Sequence, residues 1–507
     1  MSKTALVLLI VGGYAVSVSI IGIYASRKST GTTSDYFLAD RKIGAVLSFF
    51  TLTASFYSAY LIMGAVGFYY THGFGMLMAV AYTAPAGFWY WVFGGPIHLL
   101  GKKYGHSTIA DLLQHYYQSK TLGGLVGLLI CFFIIPYLAT QYTAIGMAFQ
   151  MATDGAVSYQ LGAIILGSIV CLYVFLGGFK SVAWTDLMQG IFFLVVVWVL
   201  GFYFLGREGG MTNLFESLIS TDKSLITLPG PQGYYSWGVW FSFLAIYTAL
   251  PALRPDTIQR AYAAKNLDTW RKACLHTAWA LPATYVITMI ISFGLRLHVP
   301  GLEGTEAEQA LIAFFNIQNP IIAIVILAAA MAASMSTIDS LLLVASQYLT
   351  QDVVQRFMPG RFTDKQLLNI GKAFTVLLTV IAVLTTLRPP QFMILITALL
   401  YGIGCLIWPV LGAIAWPRGT KQGAIACIVT SCVILAVLSI SGLGTYVGGI
   451  HFILWGLFAS AVVYVVVSLL TPPLPDDQIE AYHGFLRRNF WNKFDVRNRR
   501  KKHQEQC

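Results

Sequence analysis

Charge is scarce in this chain. Asp, Glu, Lys and Arg make up 10% of 507 residues, against about 25% in an ordinary soluble domain. Cysteine occurs seven times without a CxxC pair, and Cys131, Cys171, Cys274, Cys405, Cys427 and Cys432 fall in or near apolar runs. That excludes a disulfide framework and a thiolate zinc site. The nine histidines are scattered, mostly at the ends of apolar runs, with no HExxH. An intramembrane enzyme, which needs a nucleophile with a base or a metal cluster, is therefore the least favoured alternative. Residues 472–507 are too few for a catalytic or kinase domain, which also weighs against a receptor or sensor carrying its own output domain.

Apolar residues are what the chain has: 57% hydrophobic, with a mean hydropathy of +0.69. The runs are long, numerous and separated by short polar loops. The expected class is an all-α polytopic membrane protein, since about twenty apolar residues cross a bilayer as a helix. Thirteen spans are expected, at 4–25, 44–70, 74–100, 122–150, 157–177, 185–206, 236–260, 272–296, 318–349, 367–387, 389–416, 422–442 and 447–471. The first exceeds a signal-peptide core and reads as a retained helix. Residues 1–471 then form one transmembrane domain, and 472–507 a basic cytoplasmic tail.

The net charge of +11 could suggest nucleic acid, but the basic residues lie where topology puts them. Lys and Arg crowd one set of loops: Arg27, Lys28, Arg41 and Lys42; Lys102, Lys103 and Lys120; Lys180; Arg260, Lys265, Arg271 and Lys272; Arg356, Arg361 and Lys365; Arg418, Lys421 and the tail. The opposite side carries few. The positive-inside rule then puts the N-terminus outside and the C-terminus in the cytoplasm, with anionic lipid as the partner of the basic face. No nucleic-acid partner and no obligate protein partner is expected. Residues 107–117, STIADLLQHYY, read as a short amphipathic helix with Ser107 as its N-cap. Trp89, Trp91, Trp408 and Trp416 read as interface or packing aromatics.

Three features ask for more than packing. The stretch 328–340, AAAMAASMSTIDS, places Ser336 and Thr337 side by side in an apolar span, with Ala333 one turn earlier on the same face. Hydroxyls and freed carbonyls suit a monovalent cation, while small residues equally allow close helix packing in lipid. Two spans, five apart, are poorly built as plain helices. The second carries Thr51, Thr53, Ser55, Ser58 and Gly64, and the seventh carries Tyr247, Thr248, Pro251 and Pro255. Interrupted spans at matching positions point to an inverted-repeat transporter with a midplane site. Finally, Asp186, Arg254 and Asp339 put ionisable groups inside or at the ends of spans, where a charge costs about 2.5–3.5 kcal/mol on insertion scales. Arg254 either anchors a substrate carboxylate, pairs with Asp256, or lines the inner vestibule.

The motifs SDYFLADRKIG at 34–44, ASFYSAYLIMG at 54–64, GGFKSVAWTDLMQ at 177–189, QRAYAAKN at 259–266, AASMSTIDSLLLVAS at 332–346 and YGIGCLIWPVLGAIAWPRGTKQGA at 401–424 together resemble the sodium:solute symporter family. The likeness runs from about residue 35 to about residue 470. It implies a LeuT-like fold of five-plus-five inverted repeats (44–206 and 236–416), with one extra N-terminal and two extra C-terminal helices. It implies Na+ as the coupling ion and a plasma-membrane location, as in a bacterial inner membrane. Carried over by motif, the sodium ligands are the carbonyls of Ala54, Tyr57 and Ala333 and the hydroxyls of Ser336 and Thr337. A break in the second span would free such carbonyls, which agrees with the residues themselves. Some relatives look able to hold a second cation at the positions of Asp186, Ser336, Asp339 and Ser340. Asp339 stands where that pattern has a hydroxyl, so a second sodium, a proton and a polar contact at the inner gate are the alternatives, with a structural or gating role favoured for Asp186.

The solute is implied to lie beside Phe56, Ser58, Tyr60 and Gly64 on the second span and Tyr247, Pro251 and Arg254 on the seventh. Proline-type relatives carry an acid where this chain has Phe56, which argues against proline. An aromatic, sparsely polar pocket leaves sugar hydroxyls unpaired, so a small organic acid, amino acid or vitamin-like nutrient fits better.

Overall fold

A computed structural model describes residues 3–27, 29–58, 60–386, 402–440 and 446–493. Helices are introduced in chain order: α1 Lys3–Ser26, α2 Ala45–Phe56, α3 Ala65–His72, α4 Ala86–Tyr104, α5 Ile109–Tyr116, α6 Lys120–Ala152, α7 Tyr159–Arg207 and α8 Trp237–Ala249. There follow α9 Pro255–Ala263, α10 Leu267–His298, α11 Gly304–Gln318, α12 Pro320–Gln347, α13 Asp364–Thr385, α14 Ile407–Ile414, α15 Lys421–Ile440 and α16 Phe452–Leu470. Among the described residues, nine helices are long and apolar enough to cross a membrane, and Ala45–Phe56, Trp237–Leu253 and Gly402–Ile414 are shorter apolar ones. The expected count of thirteen is therefore not reproduced span for span. The start of the span expected at 389–416, Arg388, and the basic residues from Arg497 onward lie outside the described residues.

The outer surface is what hydrocarbon requires. Val195, Val199 and Phe202 on α7, Val376, Val380 and Leu384 on α13, and Val462, Val466 and Leu469 on α16 are exposed at helical spacing. α12 is the opposite case. From Ile326 to Gln347 every residue is buried, and the helix packs against α7, α6, α11, α13, α2 and α1.

The spans expected at 157–177 and 185–206 form one helix, α7, kinked at Gly178 (φ 53°, ψ −142°). A Cβ at Gly178 would stand 2.2 Å from the Tyr36 carbonyl oxygen, so only glycine permits both the left-handed backbone and the approach of Tyr36. Other local details differ from expectation. The cap of α5 is Thr108, whose hydroxyl accepts from the Asp111 amide, while Ser107 bonds the Asp111 carboxylate instead. Thr108 has the extended backbone (φ −135°, ψ 165°) that an N-cap needs. The described part of the tail packs on the bundle: Tyr482, Leu486 and Phe490 are buried, and Trp491 donates to the Ile414 carbonyl. Trp408 likewise donates to the Leu457 carbonyl at 2.9 Å, and Trp91 packs on Phe490.

Both expected breaks are present. α2 stops at Phe56, and Tyr57 (φ −74°, ψ 109°) turns the chain into extended backbone before a wide turn at Tyr60–Gly64 leads into α3. α8 gives way to a tight turn at Leu250–Leu253 and a restart at Pro255, whose missing N–H is harmless at a first helical turn. A short parallel bridge pairs Ile43 with Ala264, tying the start of the second span to the end of the seventh.

Candidate functional site

A helix leaves its last carbonyls without amide partners. At the end of α2 the Ala54 carbonyl meets Ser336 Oγ of α12, 3.1 Å away. Ser336 Oγ also donates to the Ala333 carbonyl at 2.9 Å, and Thr337 Oγ1 donates to that carbonyl at 3.1 Å. Ala54, Tyr57, Ala333, Ser336 and Thr337 are all buried. Neutral oxygens from two helices thus converge at a helix break. That donor set fits a dehydrated monovalent cation: the hydroxyls can turn their lone pairs inward, and no carboxylate is needed.

One turn along α12 lies a charged cluster that the sequence reading placed only in part. Arg260, expected as a loop charge, is 1% exposed and lies among the spans. The reason is its partners. Nε donates to Thr51 Oγ1 at 3.0 Å, Nη1 to the Asp256 carbonyl at 2.9 Å, and Nη2 to Asp186 Oδ2 at 3.2 Å and Ser340 Oγ at 2.5 Å. Nη2 also bonds Ser55 Oγ, and Thr51 bonds Asp186. Asp186, expected to open a span near the cytoplasm, is fully buried within α7, beyond the kink. Asp339 accepts from Tyr173 at 2.8 Å, Ser340 at 3.2 Å and Thr185 at 3.4 Å. The residues considered for a second cation, Asp186, Ser336, Asp339 and Ser340, therefore cluster, but a guanidinium already bridges Asp186 and Ser340. A metal ion there would have to displace it.

Arg254 answers one of its alternatives. Nε and Nη2 contact Asp256 at 3.0 and 2.9 Å, and Nη2 reaches the Ser55 carbonyl at 3.4 Å. Its charge is balanced inside the protein, and the guanidinium lies over the Tyr137 ring at 5.7 Å. Tyr247 stacks on Tyr82 and Phe243 at 5.1 and 5.5 Å. Phe56 and Tyr60 are half-buried and Ser58 is buried around the α2 break, while Pro251 is buried in the other. Gly64 lies under the Tyr60 ring, where a Cβ would approach to 2.4 Å. Tyr82, Tyr137 and Arg260 belong to this region and were not proposed from sequence, while Thr51 and Ser55 were singled out only as polar residues of the second span. For Arg260 no neighbour in sequence signals its burial: the Asp256 carboxylate, one turn earlier, is taken by Arg254, and Arg260 meets only the Asp256 carbonyl.

A mostly helical bundle with two interrupted spans meeting at buried oxygen ligands is the architecture of an ion-coupled secondary transporter. Comparison with known proteins makes this specific. The model of the sodium:solute symporter family matches residues 36–431, and the chain belongs to that family. It is 28% identical over 479 residues to the sodium/pantothenate symporter of Escherichia coli (strain K12), covering 91% of this chain and 96% of the relative. It is 26% identical over 481 residues to an osmoregulated proline transporter of Bacillus subtilis (strain 168), covering 92% and 95%. Among solved structures, a substrate-bound, outward-open Na+-coupled sialic acid symporter matches with a TM-score of 0.80 at 16% identity, covering 92% of this chain and 98% of that one. The L-phenylalanine complex of the transporter MhsT matches with a TM-score of 0.55, covering 83% and 98%. The shared fold is the LeuT-like one expected from the motifs.

Proposed function

We propose that this chain imports a small organic solute together with Na+ by alternating access, with its N-terminus outside and its C-terminus in the cytoplasm. The observation that carries the ion assignment is the meeting of the Ala54 carbonyl with Ser336 at a helix break, beside Thr337 and Ala333. Na+ at the carbonyls of Ala54, Tyr57 and Ala333 and the hydroxyls of Ser336 and Thr337 would tie the broken second span to α12. Each inward charge gains about 2.3 kcal/mol per 100 mV of membrane potential, enough to hold a solute gradient well above tenfold at about 1.4 kcal/mol per decade.

The solute is assigned to the two breaks, among Phe56, Ser58, Tyr60, Gly64, Tyr247 and Pro251. Arg254, engaged by Asp256, sets the wall of that region. The few polar groups there favour an organic acid, amino acid or vitamin-like nutrient over a sugar. The test is a thermal-shift screen of the purified protein in sodium and in potassium, across carboxylates, amino acids, pantothenate and sugars. A transported solute raises the melting temperature in sodium and not in potassium. A solute that stabilises equally in both salts removes the coupling.

A further inference from the structure

Arg260 is unusual in what it joins. Its helix, α9, follows the break in the seventh span. Its guanidinium bonds Ser55, the residue after the Ala54 carbonyl, and Ser340, one turn beyond Ser336. Ser340 in turn donates to the Ser336 carbonyl at 2.9 Å, and Ser55 and Ser340 lie 3.0 Å apart. Asp186 of α7 supplies the counter-charge, and Thr51 bonds both Asp186 and Arg260. One buried side chain therefore touches the elements on both sides of the cation ligands while riding on the element that carries the solute-side break. Arg254, six residues earlier on the same segment, reaches the Ser55 carbonyl as well.

We propose that Arg260 is the positioning residue that couples the two breaks: it holds residues 54–55 against residues 336–340 in the register that Na+ needs, and it transmits ion binding to the seventh span. A guanidinium suits this role. Its planar, always charged fork can hold several oxygens at once without losing its proton, whereas a lysine ammonium is a point charge on a flexible stem. Rearrangement of the seventh-span break moves α9, and with it the guanidinium that bridges Ser55, Ser340 and Asp186. Sodium affinity and the state of that break are then two faces of one coupling free energy, which acts equally in both directions.

This inference rests on the sodium reading above, and the experiment separates the two. It uses the full chain in detergent with Na+ alone as the probe, titrated against K+ at constant ionic strength, with tryptophan fluorescence reporting ion binding. A second readout is N-ethylmaleimide labelling of an Ala249→Cys reporter just before the seventh-span break, quantified at that peptide. In the parent protein, Na+ changes both signals with the same midpoint. Arg260→Met raises the sodium midpoint at least tenfold, and saturating Na+ no longer changes labelling at 249. Arg260→Lys, which keeps a charge, recovers part of the labelling response. Should Arg260→Met fail to fold because Asp186 is left unpaired, Arg260→Met with Asp186→Asn removes both charges and gives the same uncoupled response. A folded Arg260→Met, or the double variant, with parental midpoint and parental labelling overturns the proposal while leaving sodium coupling intact. A parent protein indifferent to Na+ against K+ overturns both.

Discussion

Replacing Ser336 with alanine removes an oxygen that faces two carbonyls, those of Ala54 at 3.1 Å and Ala333 at 2.9 Å. Two consequences can be weighed separately. In the ion-free protein the loss is one hydroxyl proton shared between two neutral carbonyls, one of them on another helix, worth about 1 kcal/mol in all. That is a modest loss for a helix buried along most of its length. In the ion-bound protein the loss is a contact to a full charge, worth about 1.5–3 kcal/mol. The sodium midpoint feels the difference between the two losses, about 0.5–2 kcal/mol, which at about 1.4 kcal/mol per decade raises half-saturating sodium about 2- to 30-fold. Thr337→Ala is expected to act in the same range, and the double variant at least as strongly. The assay is sodium activation of solute uptake into vesicles under a fixed membrane potential, with expression followed in parallel. The solute KM at saturating sodium should move much less than the sodium midpoint. Unchanged sodium dependence in both single variants would refute the assignment of these hydroxyls as ligands.

Two further predictions concern the frame around the site. Gly178→Ala asks a side chain to adopt φ 53° with its Cβ 2.2 Å from the Tyr36 carbonyl; small-to-large changes in a packed core cost about 1–3 kcal/mol. Its melting temperature in detergent should fall, while Gly206→Ala, which meets nothing within 4 Å, should leave it unchanged. The docked C-terminal segment should loosen in acid. His106 and His483 are held down to about 4 mainly by burial, His106 also by neighbouring His115. Asp111, Arg41, Tyr104 and Tyr482 face His106, and Tyr116 bonds His483. A depressed histidine favours the docked form fully above its free value near 6.5, and that preference is lost as pH falls from there toward about 4. Once each hydrogen-exchange rate is corrected for the intrinsic base-catalysed exchange at that pH, protection over residues 476–493 should therefore be lower at pH 5 than at pH 7.5, and equal protection would refute it.

Both broken spans were legible in the sequence because their causes are local: hydroxyls and glycine in one, two prolines in the other. Ser336 and Thr337 stood out as adjacent hydroxyls in an apolar span, which close packing explains as well as an ion does; the family resemblance implied the ion, and the structure sets Ser336 against the Ala54 carbonyl. Arg260 was not. At the end of an apolar run an arginine looks like a loop anchor, and only Asp186, 74 residues earlier in the chain, and Ser340, 80 residues later, explain its burial. Arg254 was left with three alternatives because sequence proximity to Asp256 cannot say which way a guanidinium points; the structure turns it onto that carboxylate. Thr108 rather than Ser107 caps α5 for a related reason. Both carry hydroxyls, and only backbone angles choose between them.

The near-complete enclosure of α12 has a consequence for how the membrane acts on this protein. A helix wrapped by its neighbours along most of its length has almost no acyl chains to answer to. Thinning or stiffening the bilayer would tilt the outer helices, such as α13 and α16, well before it reached the hydroxyls of Ser336 and Thr337. Ion affinity should then be nearly indifferent to lipid composition.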